Sequence, residues 1–534
     1  MKAQHLPLRE TGFVSGLMCD YLAENKALEP FHNGFPSFEN LYRQALEKKS
    51  AYNNEIRATL CSVLNEQYQG IESFPKVVKN LNLLKKQSTL TVTTGHQLCL
   101  MTGPLYFIYK IISAIKLSLQ LKKKYSDLDF VPVYWMASED HDFQEISAFI
   151  FNGKKFQWNT NSGGAVGEIN TESLASLLAL FKKELGSSLD AKALKELIAL
   201  SYESENNLSD ATRVFVNHLF GRFGLVIIDA NHPDLKKEFT NYIKEDLLTH
   251  QCEEQVLSQI AAIQKNYSQT FKPQVNPRKV NLFFLDDGKR HRITKTGSRY
   301  AFEGTANNLS EKEIIDLADK NPEKFSPNVL LRPLYQEVIL PNIAYFGGGG
   351  ELAYWLELKS FFDSQKVLFP ILCMRNAALI ISAKNAKKVK NLKLEIPDLF
   401  LKRNALINKK VRQISNIDLD LSPLKTALEK QFDQLEVLVN ETDASFKGSV
   451  QAQKSKQFKG IDRLEQRLLK AQKLKLKDQV ERLVLLHEQL FPGGNLQERV
   501  ENFSSVYTEK GSEFIDFLMD AFDPLSGEFT IVVI

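Results

Sequence analysis

The spacing of apolar positions changes period several times along the chain, and each change marks an element. Residues 1 to about 87 alternate polar turns such as Asn33-Gly34-Phe35-Pro36 with helical stretches at 40–48 and 51–67. The β-branched run Thr89 to Thr94 predicts a strand. Gly103-Pro104 then opens a helix whose Leu105, Ile108, Ile112, Ile115 and Leu119 share one stripe, the spacing of a helix that covers a sheet. Lys122, Lys123 and Lys124 close it with the charge a helix C-terminus favours. The nearly continuous apolar run Phe130 to Ala137 predicts a second strand, buried on both faces. Strand, helix and strand make a βαβ unit whose ligands gather at the carboxyl edge of the sheet.

From about residue 150 the texture is that of an insertion. Phe151–Trp158 and Ala165–Ile169 flank Asn161-Ser162-Gly163-Gly164 in a hairpin-like pattern, and helices follow at 174–185 and 191–202. Leu225 to Asp229 is a further buried strand that fits either the insertion or the core. Residues 280–303 read as antiparallel strands turning at Asp286-Asp287-Gly288-Lys289. The core pattern returns at 328–378, with Arg332 at a strand end, Ile343 to Phe346 as a strand, a turn at Gly347 to Gly350 and a helix from Glu351 through Trp355. Farther on, Leu424, Leu428, Gln431, Leu435, Leu438 and Thr442 keep heptad spacing. Ile461, Leu464, Leu468 and Ala471 resume it after a break containing Gly448. Two antiparallel helices, or a helix pairing with a second subunit, fit this region equally. The tail 528–534 reads as a strand returning to a sheet edge.

Composition narrows the class. A chain of 534 residues implies about two to four domains, and a net charge of only +4 argues against a nucleic-acid coat. No run approaches a membrane span and no signal-peptide pattern is present, so a cytoplasmic protein is expected. The five cysteines are scattered without a C-x-x-C pair, which removes the usual zinc and redox signatures, and no metal ligands are assigned. Cys99 lies near the first turn but lacks a partner base and reads as a buried small hydrophobe. The lysines from 384 to 393 read as a solvated helix face.

The candidate chemistry sits at strand ends. Thr94-Gly95-His96-Gln97 joins a strand to a helix, an arrangement that aims N–H groups at an anion. His96 could meet a phosphate or hold developing charge through a donated ring N–H, the plain alternative being a turn histidine bonded to the backbone. Glu139, Asp140, His141 and Asp142 offer a metal site or an acid/base pair, with Asp140 and Asp142 preferred as the catalytic pair and His141 as a substrate contact. Because adjacent residues point in different directions, about two of the four can serve one site. Arg332 suits a carboxylate, and Gln336, Glu351 and Trp355 are further substrate-binding candidates. Gly347, Gly348, Gly349 and Gly350 would let a cofactor approach the backbone closely.

Taken in order, Thr94-Gly95-His96-Gln97, Thr102-Gly103-Pro104-Leu105-Tyr106, Ala137-Ser138-Glu139-Asp140-His141-Asp142, Leu331-Arg332-Pro333 and Gly347-Gly348-Gly349-Gly350-Glu351-Leu352-Ala353-Tyr354-Trp355 closely resemble the bacillithiol biosynthesis cysteine-adding enzyme family. The likeness runs over almost the whole chain, to Phe522-Asp523-Pro524. Two positions depart from the pattern the family leads one to expect, His96 in place of glutamine and Gly349 in place of proline. The resemblance implies an α/β fold: a Rossmann-like, nucleotidylyl transferase-related parallel-sheet core with α+β insertions and a C-terminal α-helical coiled coil. The corresponding organisation is 1–150 for N-terminal helices and the first half of the core, 151–325 for the insertion and 326–383 for the second half. The coiled coil takes 384–500, and 501–534 is the returning tail. The resemblance also implies a homodimer and the addition of L-cysteine to the amine of glucosaminyl malate to give a low-molecular-weight thiol. A carboxylate is a poor electrophile, so ATP or ADP chemistry with magnesium is expected, although no P-loop is present. The rival reading is a coiled-coil, dimeric nucleotide-binding protein without ligase chemistry.

Overall fold

The β-branched run at Thr89 becomes β1 (Thr89–His96), followed by α1 (Tyr106–Lys124), β2 (Asp129–Met136), β3 (Val226–Asp229), α2 (Leu331–Ile339), β4 (Asn342–Gly347), α3 (Gly349–Trp355) and β5 (Ile371–Met374). The computed structural model describes residues 1–160, 163–286, 288–439 and 441–534. All the pairings in the central five-stranded sheet are parallel, and its spatial order is β5-β4-β1-β2-β3. This is a doubly wound order in which the chain reverses direction across the sheet between β1 and β4. At that point the carboxyl ends of neighbouring strands diverge and leave a crevice. The continuous apolar runs follow from burial on both faces. Leu90, Val92, Phe130, Ala344 and Phe346 pack with Ala114 and Leu117 of α1 on one side. Val131, Val133, Trp135 and Tyr345 pack with Leu334 and Tyr335 of α2 on the other.

Several sequence expectations are corrected. The strand Val226–Asp229, which the sequence left open between insertion and core, belongs to the core sheet, pairing in parallel with β2 from Val133↔Val226 to Met136↔Asp229. The predicted strand end at Arg332 is the first turn of α2. The Asn328 carboxamide oxygen accepts the N–H groups of Leu330 and Leu331 and starts the helix, and Pro333 is tolerated there because a first-turn N–H has no helical partner. The insertion's hairpin pairs Ala148–Phe151 with Lys154–Gln157. It turns at Asn152-Gly153, both with positive φ, an Asn-Gly turn whose twist matches that of the strands. Residues Val166–Glu168 are a short 3-10 turn. Asn161, Ser162 and Asp287, assigned to turns from sequence, lie outside the described residues, while Asp286 and Lys289 pair as expected. Residues 2–7 form a strand where only helices were predicted, and the tail strand Glu528–Val533 is the middle of a separate three-stranded sheet, not an edge of the parallel one.

Contacts divide the chain into two units. One comprises Met1–Arg9, Phe13–Leu379 and Gln497–Val532; the other comprises Glu10–Gly12, Ile380–Leu496 and Val533–Ile534. The second is helical. Helices Ser422–Val439 and Ala444–Lys475 run antiparallel, with Lys425 paired to Asp462 at 2.7 Å and Lys454 to Glu429 at 2.5 Å. Gly448 lies inside the second helix, so the heptad break falls before it. Leu406, Ile407, Val411, Leu419 and Leu483 form this unit's small core. Among the described residues no helix is long and apolar enough to cross a membrane.

In the first unit the C-terminal segment fastens the entry to α1. Met101, Thr102 and Gly103 all have positive φ (53°, 67° and 67°), a strained path for the two that carry side chains. Asn502 donates its amide hydrogens to the carbonyls of Met101 and Gly103, and Leu105 N–H donates to Glu501 O at 2.8 Å. These bonds hold the turn that aims Tyr106 and Lys110.

Candidate active site

A cleft of about 730 Å³ opens at the β1/β4 reversal. Its floor depends on Gly95, where a Cβ would stand 2.9 Å from the Tyr345 hydroxyl and 3.3 Å from Arg332 Nη1. Only glycine lets those two groups approach the backbone. Lys110, reaching from α1, donates to the Gly95 carbonyl at 2.8 Å and to Glu351 at 2.5 Å. The Glu351 carboxylate also accepts the Tyr345 hydroxyl and, at 3.3 Å, the Gly348 N–H. Tyr345 and Tyr354 in turn accept from Arg332, each at 3.5 Å, and Arg332 donates to Gln336 at 3.1 Å. Burial pulls the Lys110 ammonium below its ordinary value. Burial alone would raise Glu351, but the adjacent Lys110 outweighs it and holds the carboxyl below the usual range.

His96 lines the cleft, packed against Tyr106 and Phe107, and its Nδ1 lies 2.8 Å from the Gln97 carbonyl. A carbonyl can only accept, so Nδ1 carries the hydrogen and Nε2 is left with a lone pair. Burial, reinforced by Lys110, drives the imidazole down to about 3. The donated N–H expected to meet a phosphate is therefore spent on the backbone. His96 is a neutral acceptor rather than a cation.

The β2 end supplies the opposite wall. Gln97 donates to Asp140 at 2.7 Å and to Glu145 at 2.9 Å. Burial would raise the Asp140 carboxyl, yet the Gln97 and His141 N–H donors and the Arg290 guanidinium hold it below its ordinary value. Glu139 lines the cleft and pairs with the fully buried Lys236 at 2.6 Å. Asp142 is exposed and caps the short helix Phe143–Ile146 by accepting the Glu145 N–H at 3.1 Å. His141 points to Arg290, its Nδ1 lying 3.0 Å from Nη1. Neither lines the cleft.

Other candidates act from behind the wall. The Thr94 hydroxyl donates to the Phe346 carbonyl at 2.9 Å and ties β1 to β4. Gln336 is buried between Arg332 and Glu337. Trp355 is fully buried and stacks on Tyr345 at 4.3 Å. Gly347 lies beneath Leu352, whereas Gly348, Gly349 and Gly350 line the cleft. Sequence reasoning missed Lys110, Tyr345, Tyr354, Glu145, Arg290, Arg375 and Arg499 as lining residues. The one available signal was Lys110, the single charge in the first ten residues of α1, on the face opposite its apolar stripe. Cys99 is buried, which pushes its thiol up to about 12.

The sequence that builds this site matches two family models. The N-terminal Rossmann-like domain of bacillithiol biosynthesis BshC covers residues 1–376, and the C-terminal coiled-coil domain of BshC covers 378–534. The chain belongs to the BshC family. A BshC relative from Flavobacterium psychrophilum is 47% identical over 533 residues, spanning 100% of this chain and 99% of its own. One from Christiangramia forsetii is 48% identical over 98% of this chain and 97% of its own. A more distant BshC from Bacillus cereus is 26% identical over 95% of both. All three carry the description "Putative cysteine ligase BshC".

Proposed function

We propose that this chain is the cysteine ligase of bacillithiol biosynthesis, forming an amide between the carboxyl of L-cysteine and the amine of glucosaminyl malate. The observation that carries this reading is the buried Lys110–Glu351–Tyr345–Arg332 cluster at the floor of a crevice whose other wall is acidic. A site lined by both signs suits two reactants that each bear a carboxylate and an amine. The description of this protein's relatives as cysteine ligases weighs against a chain that only binds a ligand.

In this scheme Arg332, which among the described residues has no carboxylate in its own hydrogen-bond set, clamps a carboxylate of the malyl group through the unspent hydrogens of its fork. Asp140, ionised and held by Gln97, accepts hydrogen bonds from the sugar amine and directs its lone pair. The His96 Nε2 lone pair is a further acceptor on the same side. Lys110 neutralises charge that grows on the cysteine carboxyl oxygen during attack. The glycine turn at Gly348 to Gly350 and the donors around it fit an anionic group. They would hold the phosphates of ATP or ADP with magnesium, a nucleotide that supplies activation of the carboxyl oxygen when bound. The new C–N bond would form as the C–O bond to the activated oxygen breaks, that oxygen leaving with the phosphoryl or nucleotidyl group it carries, while the proton shed by the amine passes to Asp140.

Within the helical unit, Leu424, Leu435 and Leu438 of the heptad stripe remain 56%, 37% and 49% exposed. The proposal therefore includes a homodimer through this hairpin, which light scattering on the purified chain measures directly. The ligase reading is tested by incubating the protein with cysteine, glucosaminyl malate, ATP and magnesium and following the thiol product by mass spectrometry. Absence of product under every nucleotide and metal condition overturns it.

A further inference from the structure

Arg375 follows β5 and is only 7% exposed, yet it lines the cleft. Its Nη1 donates to the Asn376 carbonyl at 2.9 Å and its Nη2 to Glu498 at 2.6 Å. Glu498 is itself buried and spends its second oxygen on the Ala378 N–H at 3.0 Å, so the carboxylate fixes the guanidinium in one orientation. The Tyr106 ring lies against it, its centroid 5.1 Å away. A guanidinium carries five N–H donors. Here Nε–H has no partner among the described residues, and neither Nη has a second one. A Cβ on Gly348 would stand 3.8 Å from that Nε, so the unspent donors lie beside the glycine turn. Arg499, adjacent to Glu498 in sequence, lines the same cleft, is exposed and has no acidic partner among the described residues. A buried donor left unpaired is costly, and two guanidinium groups balanced by a single carboxylate leave positive charge over.

We propose that Arg375 and Arg499 form an oxyanion subsite of the cleft, distinct from Arg332, that takes a carboxylate or phosphoryl group of a reactant. Glu498 is its positioning residue. The C-terminal segment thereby contributes to the chemistry as well as to the fold. The identity of the reactant rests on the ligase reading above; the presence of an anion at these two arginines does not.

Titration calorimetry on the full chain tests this with two probes, a non-hydrolysable ATP analogue with magnesium and L-malate. Each is measured against the unmodified protein, Arg499→Ala and Arg375→Lys. Arg499 is exposed and its loss leaves the fold intact, while the lysine keeps the charge opposite Glu498 but loses the planar fork. At least one probe is expected to bind, about tenfold more weakly in either variant. Weakening confined to the ATP analogue assigns the subsite to phosphate, and weakening confined to malate assigns it to the malyl carboxylate. Failure of both probes to bind the unmodified chain, or equal binding by Arg499→Ala, overturns the proposal, and Arg499→Ala decides alone if Arg375→Lys does not fold. Product formation without binding of either probe would remove the subsite and leave the ligase standing. Binding that both variants weaken, without product, would do the reverse.

Discussion

At the carboxyl ends of β1 and β4, Lys110, Glu351, Tyr345 and Arg332 are largely buried and bonded to one another, whereas at the end of β2 the run Glu139 to Asp142 disperses. Glu139 turns to Lys236, Asp140 to Gln97, His141 to Arg290, and Asp142 caps a helix in the open. Both stretches are polar clusters at strand ends. What separates them is water. Where the ionic groups are withdrawn from solvent each must be matched, so the partners converge from four elements, α1, α2, β4 and α3. Where solvent reaches, as at His141 and Asp142, adjacent side chains can each serve a different neighbour, while Glu139 is matched like the first cluster, by the buried Lys236.

The largest test of this contrast is Glu351→Ala, which strands Lys110 with a side-chain exposure of 6%. Unfolding in urea should show a loss of about 3–5 kcal/mol, the usual cost of breaking a buried pair. Replacing both partners, Lys110→Met with Glu351→Met, should recover most of that stability and none of the ligase turnover. Recovery of turnover would make the pair structural only.

Gly95→Ala comes next. Its Cβ collides with the Tyr345 hydroxyl at 2.9 Å, so turnover should fall about a hundredfold, the scale of a 1 Å misplacement, with near-native circular dichroism. Adding Tyr345→Phe makes room and should relieve the collision. No relief would place the damage elsewhere.

His96 gives a pH signature. Its folded value of about 3 lies below the ordinary 6.5, so between these values the unfolded chain binds the extra proton. Stability is full above about pH 6.5 and falls on acidification by up to roughly 1.4 kcal/mol per pH unit until about pH 3. His96→Gln should flatten this slope in urea titrations between pH 4 and 7.

The smallest effect belongs to the exposed rim. Asp142→Ala removes a helix cap and should cost about 1 kcal/mol or less, with kcat unchanged. A large loss of kcat would return Asp142 to the chemistry.

The sequence by itself determined the parallel core, because strands buried on both faces must be continuously apolar and α1 must carry its stripe at helical spacing. It also placed polar groups at the edge where β1, β2 and β4 end. It misassigned Arg332 because Val329-Leu330-Leu331 before a proline reads as a strand, and only the Asn328 cap shows a helix start. It left Val226–Asp229 open, since a short apolar run carries no record of its neighbour. Arg375 and Arg499 could not be read at all. Arg375 meets Gly348 and Tyr106, Arg499 lines the same cleft from the C-terminal segment, and nothing local in a chain encodes which distant charges will share a cleft. That pairing is decided by tertiary structure, because removal from water makes the match obligatory only once the sheet and the returning C-terminal segment are in place.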